Sequence, residues 1–201
     1  MELTKNPESR RAFTLIELLV VITIILVLMG LLFPAFQGVQ NQAKVTQAKN
    51  DLTQIVTAVN AYYTEYGKYP ISGTTDTTFG PGGAPTSNET LFNPLRGLEP
   101  TLNPKQIVFI TPPDVKDQTN PRSGIGTDAG TLGQYFDPWG KNYAIKIDGD
   151  YDNQIANPYT SNAGSSALRA GVIAWTLGKD GLGGSGDKKA DDSEDDVISW
   201  Q

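Results

Sequence analysis

The chain has 201 residues, 38% of them hydrophobic, which is enough for one membrane helix and one soluble domain of about 130 residues. It contains neither cysteine nor histidine, so a disulfide framework, a Cys or His zinc site and a histidine general base are excluded, and with them most hydrolase and metalloenzyme templates. The net charge of −6 argues against nucleic acid as a partner.

The most informative stretch is residues 10–36. Residues 18–33 carry no charge and, with residues 12–16, form an apolar run of about 20 residues that only Glu17 interrupts. At ~1.5 Å per residue this run is long enough to cross a bilayer. We therefore predict a transmembrane segment over residues 13–36.

Basic residues on one side of the run predict its orientation. Because Lys5, Arg10 and Arg11 precede it, the positive-inside rule places the N-terminus in the cytoplasm and the C-terminal domain outside. A cleaved secretory signal is the alternative, but the run is long for such a signal and lacks a small-x-small site at its end. We expect a single-pass membrane protein.

Glu17 is the one carboxylate in this run. A charged side chain in lipid is costly, so it needs a cationic partner or a functional reason to be there. Considered alone, Glu17 leaves two interpretations open. Its side chain either extends to the nearby membrane surface or pairs with a cation.

The residues around Glu17 resemble a known processing signal. Residues 10–21, Arg-Arg-Ala-Phe-Thr-Leu-Ile-Glu-Leu-Leu-Val-Val, resemble the class III signal of type IV pilins and type II secretion pseudopilins. The resemblance implies that residues 1–12 are a basic leader, which a prepilin peptidase removes between Ala12 and Phe13 before methylating the new amine of Phe13. The family usually has Gly at the position of Ala12, and both residues are small.

The resemblance also implies two residues for assembly. In the family, the acidic residue four positions after the mature amine pairs with that amine on a neighbouring subunit, which would give Glu17 its cation. Pro34 lies where pilins carry a proline that lets the helix loosen in the filament. A proline inside a helix also predicts a kink by itself.

Beyond the transmembrane segment the pattern becomes amphipathic without a break. Apolar residues recur every three or four positions as far as Tyr66, and polar residues fall mainly between them. We therefore predict one helix from Phe13 to about Tyr66, with residues 37–67 as its amphipathic part and Gly67 as its C-cap. The tyrosines near its end are predicted to pack between helix and sheet.

Residues 68–201 are predicted to form a globular domain, which gives an α+β fold with the long helix packed on a small antiparallel sheet. The expected elements are irregular loops at 71–87 and 111–133, a strand within 105–110, a turn at 137–142, and strands at 143–147, 172–177 and 197–200. A short helix is expected to start at Ser87 or Asn88 and to bury Leu91, Phe92, Leu95 and Leu98. Asp148 and Asp150 are predicted to be turn residues.

Residues 177–196 form an acidic, glycine-rich loop. The stretch from Asp180 to Asp196 contains seven acidic residues and two basic ones, Lys188 and Lys189. Calcium takes about six to eight oxygen ligands, and glycines let a short backbone aim such oxygens at one point. The spacing is not that of an EF-hand, so composition leaves a calcium site and a solvated acidic loop as alternatives.

The C-terminal region carries a second resemblance. Residues 137–140, 174–181 and 195–200 resemble the end of the major pseudopilin of type II secretion, whose last loop is held by calcium. By position, the resemblance implies that Asp180 and Asp187 are side-chain ligands of calcium and that Leu177 contributes its carbonyl oxygen. Asp195 or Asp196 would complete the coordination. Residues 188–194 are an insertion relative to the family, so Asp191 and Asp192 are the alternative ligands to Asp195 and Asp196.

Together the resemblances imply a non-enzymatic subunit of a type II secretion pseudopilus. Its partners would be further copies in a helical fibre, minor pseudopilins, the prepilin peptidase, and an inner-membrane assembly platform with its ATPase. A type IV pilin for adhesion, motility or DNA uptake is the first alternative, although pilins often carry a C-terminal cysteine pair. A membrane-tethered enzyme is disfavoured because no acid–base pair is apparent. A calcium-dependent binder would need an exposed aromatic face from Tyr135, Trp139 and Trp175, for which we expect buried packing instead.

Overall fold

The computed structural model describes residues 13–81 and 87–201, without the side chains of residues 31–35. The chain divides into two units, residues 1–42 and 43–201. The predicted leader, residues 1–12, and with it the cleavage-site residue Ala12, lies outside the described residues. The same holds for the side chain of Pro34, so its predicted role stays a prediction.

A single helix, α1, extends from Leu15 to Tyr66 over 52 residues, which confirms the predicted long helix. It ends as predicted, because Gly67 adopts φ +66° and its N–H donates to the carbonyl of Tyr63 at 2.8 Å. This is the left-handed conformation that favours glycine at a helix C-terminus. Among the described residues, no helix combines the length and the apolar character that a membrane crossing requires.

The remaining elements belong to the second unit and are short. They are β1 (Thr77–Phe79), α2 (Glu89–Leu95), β2 (Gly124–Ile125), β3 (Tyr135–Phe136), β4 (Ala144–Ile147), β5 (Ile155–Ala156), β6 (Tyr159–Ser161), β7 (Ala167–Leu168), β8 (Val172–Thr176), β9 (Gly186–Asp187) and β10 (Val197–Ile198). The predicted strands at 143–147, 172–177 and 197–200 are confirmed as β4, β8 and β10.

The main sheet has the strand order β1-β4-β8-β10, and its pairs are antiparallel. Strand β4 pairs with β8 so that Ala144 faces Trp175 and Ile147 faces Val172. The pairs β2-β3 and β5-β7 are antiparallel, whereas β6-β9 is parallel. The small antiparallel sheet of the predicted α+β fold is therefore present.

Both faces of this sheet are covered. One apolar cluster joins α1, through Leu52, Ile55 and Tyr62, to inward-facing residues of β4 and β8 such as Ile145 and Ala174. Because side chains alternate along a strand, Ala144, Ile173 and Trp175 lie on the opposite face, in a second cluster with Ile155 and Tyr159. Covering on both sides explains why each residue of β8 is buried.

Three predicted loop or strand assignments were wrong. Strand β1 lies in the predicted loop 71–87, and β2 lies in the predicted loop 111–133. The apolar run at 107–110 is not a strand. The N–H of Phe109 instead donates to the carbonyl of Leu95 at 2.8 Å, so this segment satisfies the C-terminal end of α2 rather than a neighbouring strand.

Helix α2 begins where predicted, but the side chain of Asn88 does not cap it. The amide of Asn88 is buried, donates to the carbonyls of Tyr135 at 3.0 Å and Tyr143 at 2.9 Å, and accepts the N–H of Tyr135 at 2.9 Å. Asn88 therefore ties the start of α2 to β3 and β4. Leu98 lies beyond the end of α2 and is 60% exposed, so its predicted burial was wrong.

The aromatic residues are packed rather than displayed. Tyr62, Tyr135 and Trp175 are buried, as predicted, and Trp139 is half-buried. Tyr63 departs from the prediction at 39% exposure. The aromatic face that a calcium-dependent binder would need is therefore not formed by the three residues considered for it.

Candidate functional site

The start of α1 is closed by a reciprocal pair of side chains. The N–H and the hydroxyl of Thr14 donate to Oε2 of Glu17 at 2.9 and 2.7 Å, and the N–H of Glu17 donates to the hydroxyl of Thr14 at 3.2 Å. This is a capping box, which satisfies backbone donors that the first helical turn leaves free. Thr14 and Glu17 have the Thr-x-x-Glu spacing of a capping box, so this pair can be predicted from the sequence alone.

The helix surface that follows this cap is apolar and unprotected. From Phe13 to Met29 the large apolar side chains are exposed, between 43% at Ile25 and 88% at Leu15. A single copy of the chain leaves this surface without cover, although apolar surface of this extent marks a site for lipid or for other protein surfaces. Glu17 is also exposed, so its carboxylate is accessible to a partner on another molecule.

The acidic loop is closed by its two last aspartates. Oδ2 of Asp195 accepts the N–H groups of Lys179 and Asp180. Oδ2 of Asp196 accepts the N–H of Gly184 at 2.8 Å and the hydroxyl of Tyr159 at 2.7 Å. These bonds hold the beginning of the loop against the residues that lead into β10.

Glycine is needed where the loop backbones approach each other. A Cβ at Gly178 would lie 2.5 Å from the carbonyl oxygen of Asp195, and one at Gly183 would lie 2.2 Å from that of Asp192. Both glycines have positive φ, at +61° and +79°, a conformation that other residues rarely adopt. The glycine spacing of the loop therefore serves close packing of the backbone.

The same two aspartates each leave a buried acceptor without a donor. Oδ1 of Asp195 and Oδ1 of Asp196 have no hydrogen-bond partner. Burial raises the pKa of Asp196 to about 6, although its bonds from Tyr159 and Gly184 act in the opposite direction. Unpartnered carboxylate oxygens are suited to a hard cation, which would supply the missing positive charge.

The other predicted ligands have different surroundings. Oδ1 of Asp180 accepts the N–H of Leu182 at 2.8 Å, and the carbonyl of Leu177 accepts the N–H of Gly181 at 3.2 Å. Asp187 lies in β9 and accepts the side-chain amide of Asn162 at 2.7 Å, a bond that lowers its pKa. Asp195 and Asp196 thus have the oxygens best suited to a cation, while Asp180 and Asp187 also serve the turns around them.

In the described part of the chain, a group of three converging carboxylates lies outside the acidic loop. One carboxylate oxygen from each of Asp76, Asp148 and Asp150 lies within 4.8 Å of the others, and the loop 177–196 forms no such group of three. Asp148 accepts the N–H groups of Tyr151 at 2.7 Å and Asn153 at 2.8 Å. Its predicted turn role is therefore confirmed, whereas its approach to the distant Asp76 was not visible in the sequence.

Comparison with known families bears on the first of these sites. Residues 9–33 match the family model described as the prokaryotic N-terminal methylation motif. The chain carries the N-terminal methylation motif of type IV pilins and pseudopilins. The match covers the capping box and the exposed apolar residues as far as Met29, so the predicted resemblance of residues 10–21 is confirmed.

The chain is similar both to type IV pilins and to a type II secretion protein. The chain is 41% identical over 62 residues to the type II secretion system core protein G of Pseudomonas aeruginosa, covering 31% of this chain and 44% of that protein. It is 38% identical over 64 residues to the type IV major pilin protein PilA of Myxococcus xanthus, covering 32% and 29%. It is 34% identical over 90 residues to the type IV major alpha-pilin of Moraxella bovis, covering 45% and 56%.

The matched regions thus span 29% to 56% of the lengths of these pilin and pseudopilin relatives. No solved structure matches the chain. The relatives comprise two pilins and one secretion protein, so similarity supports a pilin-like chain without separating pilus from pseudopilus.

Proposed function

We propose that this chain is a pilin-like structural subunit that assembles through its N-terminal helix. The observation that carries the proposal is the combination of the methylation motif at residues 9–33 with exposed apolar side chains along the same stretch. Apolar surface of this kind is stable only when lipid or a neighbouring surface covers it. The same helix face would be covered by lipid before assembly and by neighbouring helices afterwards.

Processing would prepare the helix for this exchange. A prepilin peptidase would cut between Ala12 and Phe13 and methylate Phe13, after which Glu17 would pair with the new amine of a neighbouring copy. The subunit would wait in the bacterial inner membrane with residues 43–201 in the periplasm. An assembly platform and its ATPase would then add it to a helical fibre with minor pseudopilins.

Within this class, we propose a subunit of the type II secretion pseudopilus. Similarity to the secretion protein G of P. aeruginosa supports it, as does the resemblance of residues 137–140 and 174–181 to the major pseudopilin. The second candidate is a type IV pilin, which similarity to the M. xanthus and M. bovis pilins favours. Both candidates are structural rather than catalytic.

We also propose a structural calcium ion in the loop 177–196. The buried oxygens of Asp195 and Asp196 without donors support it, and Leu177, Asp180 and Asp187 would supply further ligands. The ion would offset the mutual repulsion of the loop carboxylates and tie the loop to β10. Its contribution would be to stability, with no part in a reaction.

A gene deletion separates the two candidate assemblies. If the chain serves the pseudopilus, the deletion strain loses exported proteins from the culture medium and keeps its surface fibres and twitching motility. Complementation by the wild-type gene restores export. Loss of surface fibres or of motility with normal export would instead establish the type IV pilin, and an unchanged strain in both assays would contradict either assignment.

A further inference from the structure

The sheet face that does not pack on α1 contains a cavity of about 390 Å³. It is lined by Lys146 of β4 and Trp175 of β8, by residues 156–158, and by residues 183–185 of the acidic loop. Its size lies within the range of small-molecule pockets, roughly 300–1,000 Å³. The fibre assembly proposed above uses none of these residues.

One wall of the cavity holds a buried donor without an acceptor. The indole of Trp175 is 3% exposed, and its Nε1 has no hydrogen-bond partner. The indole of Trp200, by contrast, donates to the carbonyl of Ala163 at 2.8 Å. An indole N–H can only donate, so the group that completes the environment of Trp175 must supply an acceptor oxygen.

A glycine keeps the space beside this donor open. Gly184 has φ +76°, and a Cβ there would lie 2.6 Å from Cδ2 of Leu177 and 3.2 Å from Nε1 of Trp175. The N–H of Gly184 is itself committed to Asp196. A side chain larger than that of glycine at position 184 would therefore contact Leu177 and the indole of Trp175.

Lys146 supplies a second donor to the same cavity. Its Nζ donates to the carbonyl of Ala156 at 3.2 Å and lies 3.7 Å from Oδ2 of Asp76. An ammonium has three protons, and these two groups are its partners among the described residues, so one proton has no partner. The side chain of Lys146 is 17% exposed, which limits competition from water.

We propose that this cavity binds a carboxylate attached to a small apolar body. A carboxylate has two acceptor oxygens and a negative charge, which suit the indole N–H of Trp175 and the ammonium of Lys146 together. Ala156, Pro158 and Leu177 supply apolar wall for the remainder. A free carboxylic acid and the C-terminal residue of a peptide share this chemistry.

Nuclear magnetic resonance of the ¹⁵N-labelled full chain in detergent micelles tests the proposal. The three tryptophans give separate indole N–H signals, which single Trp→Phe variants assign. N-acetyl-leucine is expected to shift the signal of Trp175 saturably and to leave that of Trp200 in place, whereas N-acetyl-leucinamide, which lacks the carboxylate, is expected to shift neither. A free-carboxylate tripeptide and its C-terminal amide distinguish the peptide source from the small acid.

Two variants remove the proposed donors one at a time. Trp175→Phe keeps an aromatic ring and removes the N–H, so binding is then followed on backbone amides of residues 183–185. Lys146→Met keeps a long apolar side chain and removes the charge. Each is expected to weaken binding of N-acetyl-leucine roughly tenfold, since a charge-assisted hydrogen bond is lost.

Trp139→Phe is the matched control. The indole Nε1 of Trp139 is also buried without a partner, but Trp139 does not line this cavity, so its variant should bind as the wild type does. The proposal is overturned if the wild-type Trp175 signal does not respond to N-acetyl-leucine, or if the amide binds equally well. An equal loss of binding in Trp139→Phe would also overturn it.

Discussion

Replacing Glu17 by glutamine separates two roles that the same side chain can serve. In the single chain, Glu17 closes a capping box with Thr14. In the proposed fibre, its charge pairs with the amine of a neighbouring subunit. Glutamine keeps the acceptor oxygen that the capping box needs and removes the charge that the ion pair needs.

The capping box sets the size of the effect expected from helix capping alone. Thr14→Val removes the hydroxyl and with it two of the three bonds between Thr14 and Glu17, while the carboxylate remains. Loss of an N-cap side chain costs about 1 kcal/mol, or roughly fivefold in an equilibrium constant. Removing one member of a desolvated ion pair typically costs more than roughly a hundredfold.

The assay is co-expression of each variant with tagged wild-type subunit, followed by isolation of fibres. The fraction of variant in the fibres is divided by its fraction in the membrane, which corrects for insertion and processing. Glu17→Gln and Glu17→Leu are expected to be nearly absent from fibres, whereas Thr14→Val is expected to be depleted only a few-fold. All three should insert and be cleaved.

Incorporation of Glu17→Gln at the wild-type level would contradict an ion pair between Glu17 and the amine of a neighbouring subunit. It would mean that Glu17 acts in assembly only through the capping box, for which glutamine suffices. Depletion of Thr14→Val as severe as that of Glu17→Gln would point the same way, because Thr14→Val retains the charge. The ranking of the two variants therefore decides between charge pairing and helix capping.

Three further predictions concern the part of the chain from residue 38 onward, expressed as a fragment. The melting temperature of this fragment should be roughly 5–11 °C higher in millimolar calcium than in chelator, if the calcium concentration is near a hundredfold above the dissociation constant. Asp196→Asn should abolish this difference. An unchanged melting temperature in the wild type would contradict the calcium proposal. Asn88→Ala should lower the free energy of unfolding, measured in urea, by about 3 kcal/mol, because the carbonyls of Tyr135 and Tyr143 and the N–H of Tyr135 lose their partner. The control Asn60→Ala, at an exposed position, should change it by less than about 0.5 kcal/mol. Equal effects of the two variants would contradict the role of Asn88. Burial raises the pKa of Asp51 above its ordinary 3.8, so the folded state holds this proton more tightly, and the contribution of Asp51 to stability should fall as pH rises from the ordinary value through the raised one. Asp51→Asn should flatten that fall. Hydrogen bonds from Thr119 lower the pKa of the exposed Asp117, so Asp117 contributes stability that is lost as pH falls. The control Asp117→Asn should therefore change the pH profile in the opposite direction. Parallel pH profiles for wild type and Asp51→Asn would contradict the predicted effect of Asp51.

Apolar patterns along the chain predicted the long helix and three strands of the main sheet. Helix α1 was predicted to within about two residues at each end, and β4, β8 and β10 were predicted from apolar runs bounded by turn residues. The run at 107–110 has the same local appearance, yet the N–H groups of Phe109 and Ile110 both donate to the carbonyl of Leu95 at the end of α2. An apolar run alone does not determine whether a strand or a packed loop forms.

The short strands β1 and β2 depend on distant partners. Strand β1 has three residues and is paired with β4, almost 70 positions along the chain. Neither its polar threonines nor its neighbouring glycines indicate such a pairing locally. Its formation follows from the exposed edge that β4 offers, which is a property of the folded sheet.

The candidate sites divide in the same way. The methylation motif and the capping box depend on spacing within one turn or one segment, so the sequence contains them completely. The closure of the acidic loop depends on Tyr159, and the cavity depends on the indole of Trp175 and on Lys146 from a different strand. Which buried oxygen or N–H remains without a partner is determined only when all these segments are packed together.

Mass spectrometry of the mature N-terminus shows whether the chain is processed as a pilin-like subunit. The full-length gene is expressed in cells with and without a prepilin peptidase, and the membrane-bound protein is analysed intact and after digestion. We expect a chain that begins at methylated Phe13 in the presence of the peptidase and retains residues 1–12 in its absence. A chain that begins at Met1 in both strains would contradict this expectation.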